Sequence, residues 1–122
     1  MTLHLVRLEL AREKGHPDGS SLHGYEFIAP LDQNGHLDRS HWADVRGRCT
    51  TRRFWYGEDD QTGNLIHTRG GHWAFSYDPT TTDDDEAIFR LDQHLMRPGE
   101  YVSITEPDRQ QHTFRIASVR KL

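Results

Sequence analysis

His67, Arg69 and His72 surround the pair Gly70-Gly71, in the stretch of this chain richest in groups that could do chemistry. Imidazoles sharing a strand face can converge on a divalent metal, or trade a proton with a bound molecule beside a carboxylate. Gly-Gly between two alternating runs predicts a two-residue hairpin turn, because such turns need positive φ at both central positions. That register pairs Arg69 with His72, Thr68 with Trp73, Ile66 with Phe75 and Asn64 with Tyr77. Ile66, Thr68, Trp73, Phe75 and Tyr77 then form a core-facing surface, and Leu65, His67, Arg69, His72, Ala74 and Ser76 its polar back. His67 and His72 become diagonal neighbours roughly 7–8 Å apart. A catalytic zinc takes about three protein ligands, and the third would have to come from His23, Asp59 or Asp60. Two histidines on a solvated face are the plainer account, so no metal and no cofactor are expected.

The second chemical stretch runs from Arg46, Arg48, Arg52 and Arg53 into Phe54-Trp55-Tyr56. Arginine neutralises phosphate and aromatic rings stack on bases, the combination used by single-stranded nucleic-acid platforms. Strand alternation weakens that reading, since Arg52, Phe54 and Tyr56 share one face while Arg53 and Trp55 share the other. The net charge of -4 also argues against a general nucleic-acid coat. The acidic runs Glu58-Asp59-Asp60 and Asp83-Asp84-Asp85-Glu86 read as solvated loops able to answer the arginines, and neither has the ligand pattern of a calcium loop.

The single cysteine, Cys49, excludes an intrachain disulfide and a cysteine-based zinc site. It sits past a predicted helix with His41 about two turns upstream, too far along the axis for a nucleophile–base pair. No serine lies in a Gly-x-Ser-x-Gly elbow, and no glycine pattern matches a phosphate loop.

The elements that hold these groups are mostly strands. Residues 3–12 put Val6, Leu8 and Leu10 on one face and Leu3 and Leu5 on the other. Residues 23–30 align Tyr25, Phe27 and Ala29; residues 50–56 are rich in Thr and aromatics. Short strands follow over 87–91, 100–105 and 112–119, and the opposite parity of Val119 to Phe114 and Ile116 predicts a late bulge. Residues 37–48 form the one helix, capped by Asp38 or Ser40 and ended by Gly47. Hydrophobic residues make up only 34% of the 122, so three Trp, four Tyr and five Phe must supply much of the buried area. There is no basic leader with a long apolar run and no membrane-spanning stretch, from which a cytoplasmic protein is expected.

Residues 97–104, with Pro98-Gly99 opening a strand, and residues 112–119 resemble the strand openings of PUA-like RNA-binding barrels. A fainter resemblance links them to the flavin barrel of ferredoxin reductases, whose Arg-x-Tyr-Ser flavin signature is missing here. Over most of its length the chain resembles an uncharacterised family of small bacterial proteins, a domain of unknown function. The segments that carry it are 23–31 (from His23-Gly24-Tyr25), 52–60 (from Arg52-Arg53-Phe54), 73–79 (from Trp73-Ala74-Phe75) and 98–104 (from Pro98-Gly99-Glu100). That resemblance implies a bacterial, cytoplasmic origin and assigns no activity.

The expectation is one β domain over residues 1–122: a small antiparallel barrel, or barrel-like sandwich, of about eight strands with one short helix. Its core draws on Val6, Leu8, Phe27, Trp42, Phe54, Ile66, Trp73, Phe75, Val102, Ile104, Phe114 and Ile116. The expected role is a non-enzymatic binding or interaction module whose surface joins Arg52, Arg53 and Trp55 to His67, Arg69 and His72. Its partner would be a protein or an anionic small molecule, with RNA on a PUA-like barrel as one alternative. The other is a small hydrolase-like enzyme pairing the hairpin histidines with Glu58, Asp59 or Asp60. Pairing of two copies through a strand edge is a further possibility.

Overall fold

Along β1 (Thr2–Leu10) the side chains of Val6, Leu8 and Leu10 are buried, and Arg7 and Glu9 between them face outward and pair with each other. The same period of two repeats through β2 (Ser20–Leu31), β3 (Thr50–Trp55), β4 (Gln61–His67), β5 (Trp73–Ser76), β6 (Glu86–Ile88), β7 (Tyr101–Thr105) and β8 (Gln111–Lys121). Each strand pairs with the next in sequence, and β8 returns to β1, so this computed structural model is a closed antiparallel eight-stranded barrel with one short helix. It describes residues 2–78, 80–83 and 85–122; Pro79 and Asp84, in the stretches singled out above, lie outside them. A barrel of this size is just wide enough for side chains to fill it. Tyr25 meets Phe75 and Phe114 across the interior with ring centroids 5.1 Å apart in both pairs. Among the described residues no helix is long and apolar enough to cross a membrane.

Two local devices curve the sheet. Arg7 lies opposite Ser118 and Leu8 opposite Ile116, so Ala117 is an extra residue, the late bulge that the parity of Val119 predicts. Gly24 lets β1 and β2 approach closely, since a Cβ there would lie 1.9 Å from the Leu8 carbonyl oxygen.

The hairpin departs from its predicted register. Gly71 N–H donates to the Thr68 carbonyl at 3.0 Å and Thr68 N–H to His72 O at 2.7 Å. Gly71 alone of the pair has positive φ, at 83°. The loop therefore holds three residues, Arg69, Gly70 and Gly71, and Leu65 faces Phe75 while His67 faces Trp73. That one-residue slip turns β4 over: Leu65 is fully buried, and Ile66, expected in the core, lies partly exposed on the outer wall. Phe54 is buried as expected but also on the outer wall, with the guanidinium groups of Arg7 and Arg52 4.4 and 5.0 Å from its ring centre.

Helix α1 (Arg39–Val45) is shorter than predicted, and a 3-10 turn, Arg46–Arg48, completes the segment. The Asp38 side chain accepts from His41 N–H at 3.2 Å, the cap expected from sequence. Trp42 is the helix's buried residue; its indole N–H donates to the Leu65 carbonyl at 3.0 Å. With Leu37, Leu91 and Met96 it shuts one end of the barrel. Asp38→Ala should lower stability by about 1 kcal/mol in urea denaturation, the usual worth of such a cap; an unchanged midpoint would mean that packing of Trp42 alone fixes the helix.

Candidate functional site

The other end of the barrel is built differently. Arg53, Glu86 and Glu106 all point inward there and are only 7%, 2% and 9% exposed. Each continues the inward parity of its strand: Arg53 follows Thr51 in β3, Glu86 precedes Ile88 in β6, and Glu106 follows Val102 and Ile104 beyond β7. Arg53 Nη2 lies 3.0 and 3.3 Å from the two Glu106 carboxylate oxygens, and its Nε lies 3.4 Å from Glu86 Oε2. Its remaining nitrogen, Nη1, donates to Glu58 Oε1 at 3.2 Å. The guanidinium also sits 4.4 Å from the ring centre of half-buried Trp55.

Two tyrosines complete the layer. The Tyr25 hydroxyl lies 2.9 Å from Glu86 Oε2 and 2.8 Å from Glu106 Oε2. The Tyr77 hydroxyl donates to the other Glu86 oxygen, Oε1. A phenol has a single proton, so Tyr25 donates to only one of its two neighbours. The arrangement is satisfied when the Glu86 carboxyl is protonated and donates to Tyr25, which donates to Glu106. Burial pushes the Glu86 carboxyl up to about 7, with the Glu106 charge adding to the rise while Tyr77, Tyr25 and Arg53 oppose it. Burial likewise raises both tyrosine hydroxyls far above the ordinary phenol range.

A cleft of about 320 Å³ opens onto this layer, with Arg53, Tyr77, Glu86 and Glu106 on its inner side and Glu58, Gln61, Pro107 and Asp108 around it. A wider outer groove of about 720 Å³ runs along parts of residues 9–22 and is lined by none of the buried charges. Histidines adjoin the mouth. His23 lies edge-on to Trp55 at 4.6 Å and accepts or donates at 2.6 Å to Ser20 Oγ. Burial, then the charges of His16 and Arg53, lower its pKa from the usual value. His112 Nδ1 is 2.9 Å from Glu13 Oε1.

The six residues singled out from sequence do not form one surface. Arg52 lies on the outer wall, paired with Glu26 and donating to Asp60 at 2.8 Å. Arg53 and Trp55 face the mouth, as alternation requires. His67 stacks edge-on against Trp73 at 4.8 Å beside Trp42, Arg69 is exposed in the hairpin loop, and His72 is exposed in the pair that closes it. The cause is strand polarity. Arg53 pairs with Gln61, and β4 then runs away from the mouth, so His67 is about 20 Å along the strand at roughly 3.3 Å per residue. The same separation keeps His67 and His72 from Glu58, Asp59 and Asp60. Burial lowers the His67 pKa, with Arg39 adding to the shift. Among the described residues no group of three or more His, Cys, Asp or Glu is placed to hold a metal ion.

The sequence pattern singles out none of Tyr25, Tyr77, Glu86 and Glu106 as site residues. Glu86 was expected in a solvated acidic run and is instead among the most buried side chains of the barrel. Glu106 directly precedes Pro107-Asp108, and alternation places Tyr25 on a face with Phe27 and Tyr77 on one with Trp73 and Phe75 without marking either as a site residue. The signal that finds all four is inward parity carried to, and one step past, the strand ends. Searched against family models, curated proteins and solved structures, the chain matches none of them.

Proposed function

We propose that the protein is a small-molecule-binding barrel whose ligand sits in the polar mouth, over Arg53, Glu86 and Glu106. The observation that carries this is the buried ionic layer itself, beneath a cleft. Burying a guanidinium and two carboxyl groups costs several kcal/mol per ion, and an apolar layer of similar volume would close a barrel as well or better. A cleft of a few hundred Å³ with convergent polar groups is the usual form of a small-molecule site. Arg52 and Arg53 are each held by carboxyl groups, so an anion approaching this strand would find both already paired.

Heteronuclear NMR of the labelled protein, titrated with a fragment library of mixed charge, tests the reading. Binders should shift the amides of residues 53–61, 77, 86 and 105–108 and leave residues 67–72 unmoved. Hits confined to the outer groove along Leu10 and Leu22 would refute it.

A second reading follows from the Glu86 carboxyl poised near neutral beside two tyrosines, which suits a general acid–base. It requires that a mouth binder be converted to product, with the new signals absent in Glu86→Gln.

A further inference from the structure

We propose that the mouth takes a small organic cation, an ammonium or guanidinium head on a short apolar body, in exchange for the proton held among Glu86, Tyr25 and Glu106. This rests on the reading of the mouth as a ligand site. Its hydrogen-bonding inventory leads there. Arg53 spends Nε, Nη1 and Nη2 on Glu106, Glu86 and Glu58, and both tyrosine hydroxyls also point at carboxyl groups. The side-chain donors of this layer are therefore turned inward or occupied. What the cleft presents is mainly acceptors, the carboxyl oxygens of Glu58, Glu86, Glu106 and Asp108, beside the Gln61 amide, which offers both a donor and an acceptor. With Glu86 protonated, three carboxylates against one guanidinium still leave the cleft negative, at a barrel end where a low dielectric strengthens attraction for a positive head.

The proton count supplies the exchange. One hydroxyl proton serves two carboxyl groups at 2.9 and 2.8 Å, so a second proton resides on one of them. Glu86 is the carboxyl that burial pushes up to about 7, whereas Glu106 faces Arg53 directly. The groups facing Glu86 are Tyr25 from β2, Arg53 from β3, Tyr77 beyond β5 and Glu106 beyond β7, with Glu58 and Asp108 farther out in the cleft. Arrival of a cation favours the ionised carboxyl. The proton leaves Glu86 for solvent as the ammonium or guanidinium enters, so the charge of the site is unchanged and no covalent bond to carbon forms or breaks.

The full chain is titrated with n-butylammonium, benzylammonium and agmatine, and in parallel with benzoate and inorganic phosphate. Binding is followed by amide shifts and by calorimetry in buffers of different ionisation heat. At least one cation should move the Tyr77, Glu86 and Glu106 amides, release close to one proton at pH 6, and bind about tenfold more tightly at pH 8, as linkage to a single group near 7 requires. Glu86→Gln should remove both the proton release and the pH dependence. The exposed changes Glu58→Gln and Asp108→Asn should weaken binding several-fold and leave the pH dependence in place, which keeps the test decisive if Glu86→Gln does not fold. Cation binding at these amides without proton release overturns the exchange. Benzoate or phosphate binding there in place of the cations overturns the cation assignment but keeps the mouth as the site. No binding at these amides by any compound in the panel, together with no mouth hit in the fragment screen, overturns both.

Discussion

Arg53→Met should lower the free energy of unfolding by about 3–5 kcal/mol, the cost of breaking a buried ion pair by removing one partner. Methionine keeps most of the aliphatic stem, so the loss is electrostatic more than steric. Glu106 loses contacts at 3.0, 3.3 and 3.4 Å and keeps only the Tyr25 hydroxyl, while 9% of its surface reaches solvent. Glu86 escapes part of the penalty, because its carboxyl already holds a proton readily near neutral pH. The measurement is urea denaturation at pH 7, with near-UV circular dichroism to confirm that the aromatic interior persists. The triple change Arg53→Met, Glu86→Gln, Glu106→Gln should recover much of the loss, since a neutral layer leaves no charge stranded. A loss under about 1 kcal/mol for the single change would mean that water reaches the layer freely.

The second large effect is on pH dependence. Glu86 goes from 4.5 in a model compound to about 7 in the fold, so the folded state holds a proton that the unfolded chain has released. Stability from this group is fully present below about 4.5, falls as pH rises toward about 7, and is flat above. At about 1.4 kcal/mol per pH unit the interval amounts to about 3 kcal/mol, an upper bound for one carboxyl. Glu86→Gln should remove that slope and leave the variant more stable than wild type at pH 8 by up to the same amount. His23 and His67 act in the opposite sense, because their lowered values make stability rise as pH climbs toward 6.5. The difference between wild type and variant cancels them. Identical slopes in the two proteins would show that Glu86 is solvated.

Much of this layer could be read from parity. Tyr25 aligned with Phe27, Tyr77 with Trp73 and Phe75, and Arg53 with Trp55, all on faces that proved to look inward. Glu86 was hidden by its company: three aspartates before it gave the run the appearance of a solvated loop, yet it shares a face with Ile88. Glu106 shares one with Val102 and Ile104, but it lies one residue past the end of β7, against Pro107-Asp108, where alternation no longer has a strand to follow. Alternation along one strand cannot show which strand ends lie at the same end of a barrel, so Arg53 and His67 looked like neighbours. The register of β4 failed for a narrower reason. Gly70-Gly71 is compatible with both two- and three-residue loops, and Thr68 and His72 paired to make it three.

The ring formed by β1 and β8 also decides how this protein can meet copies of itself. An open sheet ends in a row of unsatisfied amides and carbonyls, the template on which strands from other molecules add and fibrils grow. Here each described strand has a neighbour on both sides, so the edge-to-edge pairing raised from sequence has no row to start from. Self-association of the native barrel has to run through surfaces other than a free strand edge. Fibril formation has to wait for the ring to open, and the β6–β7 junction, with two paired positions against seven between β1 and β8, is its thinnest point.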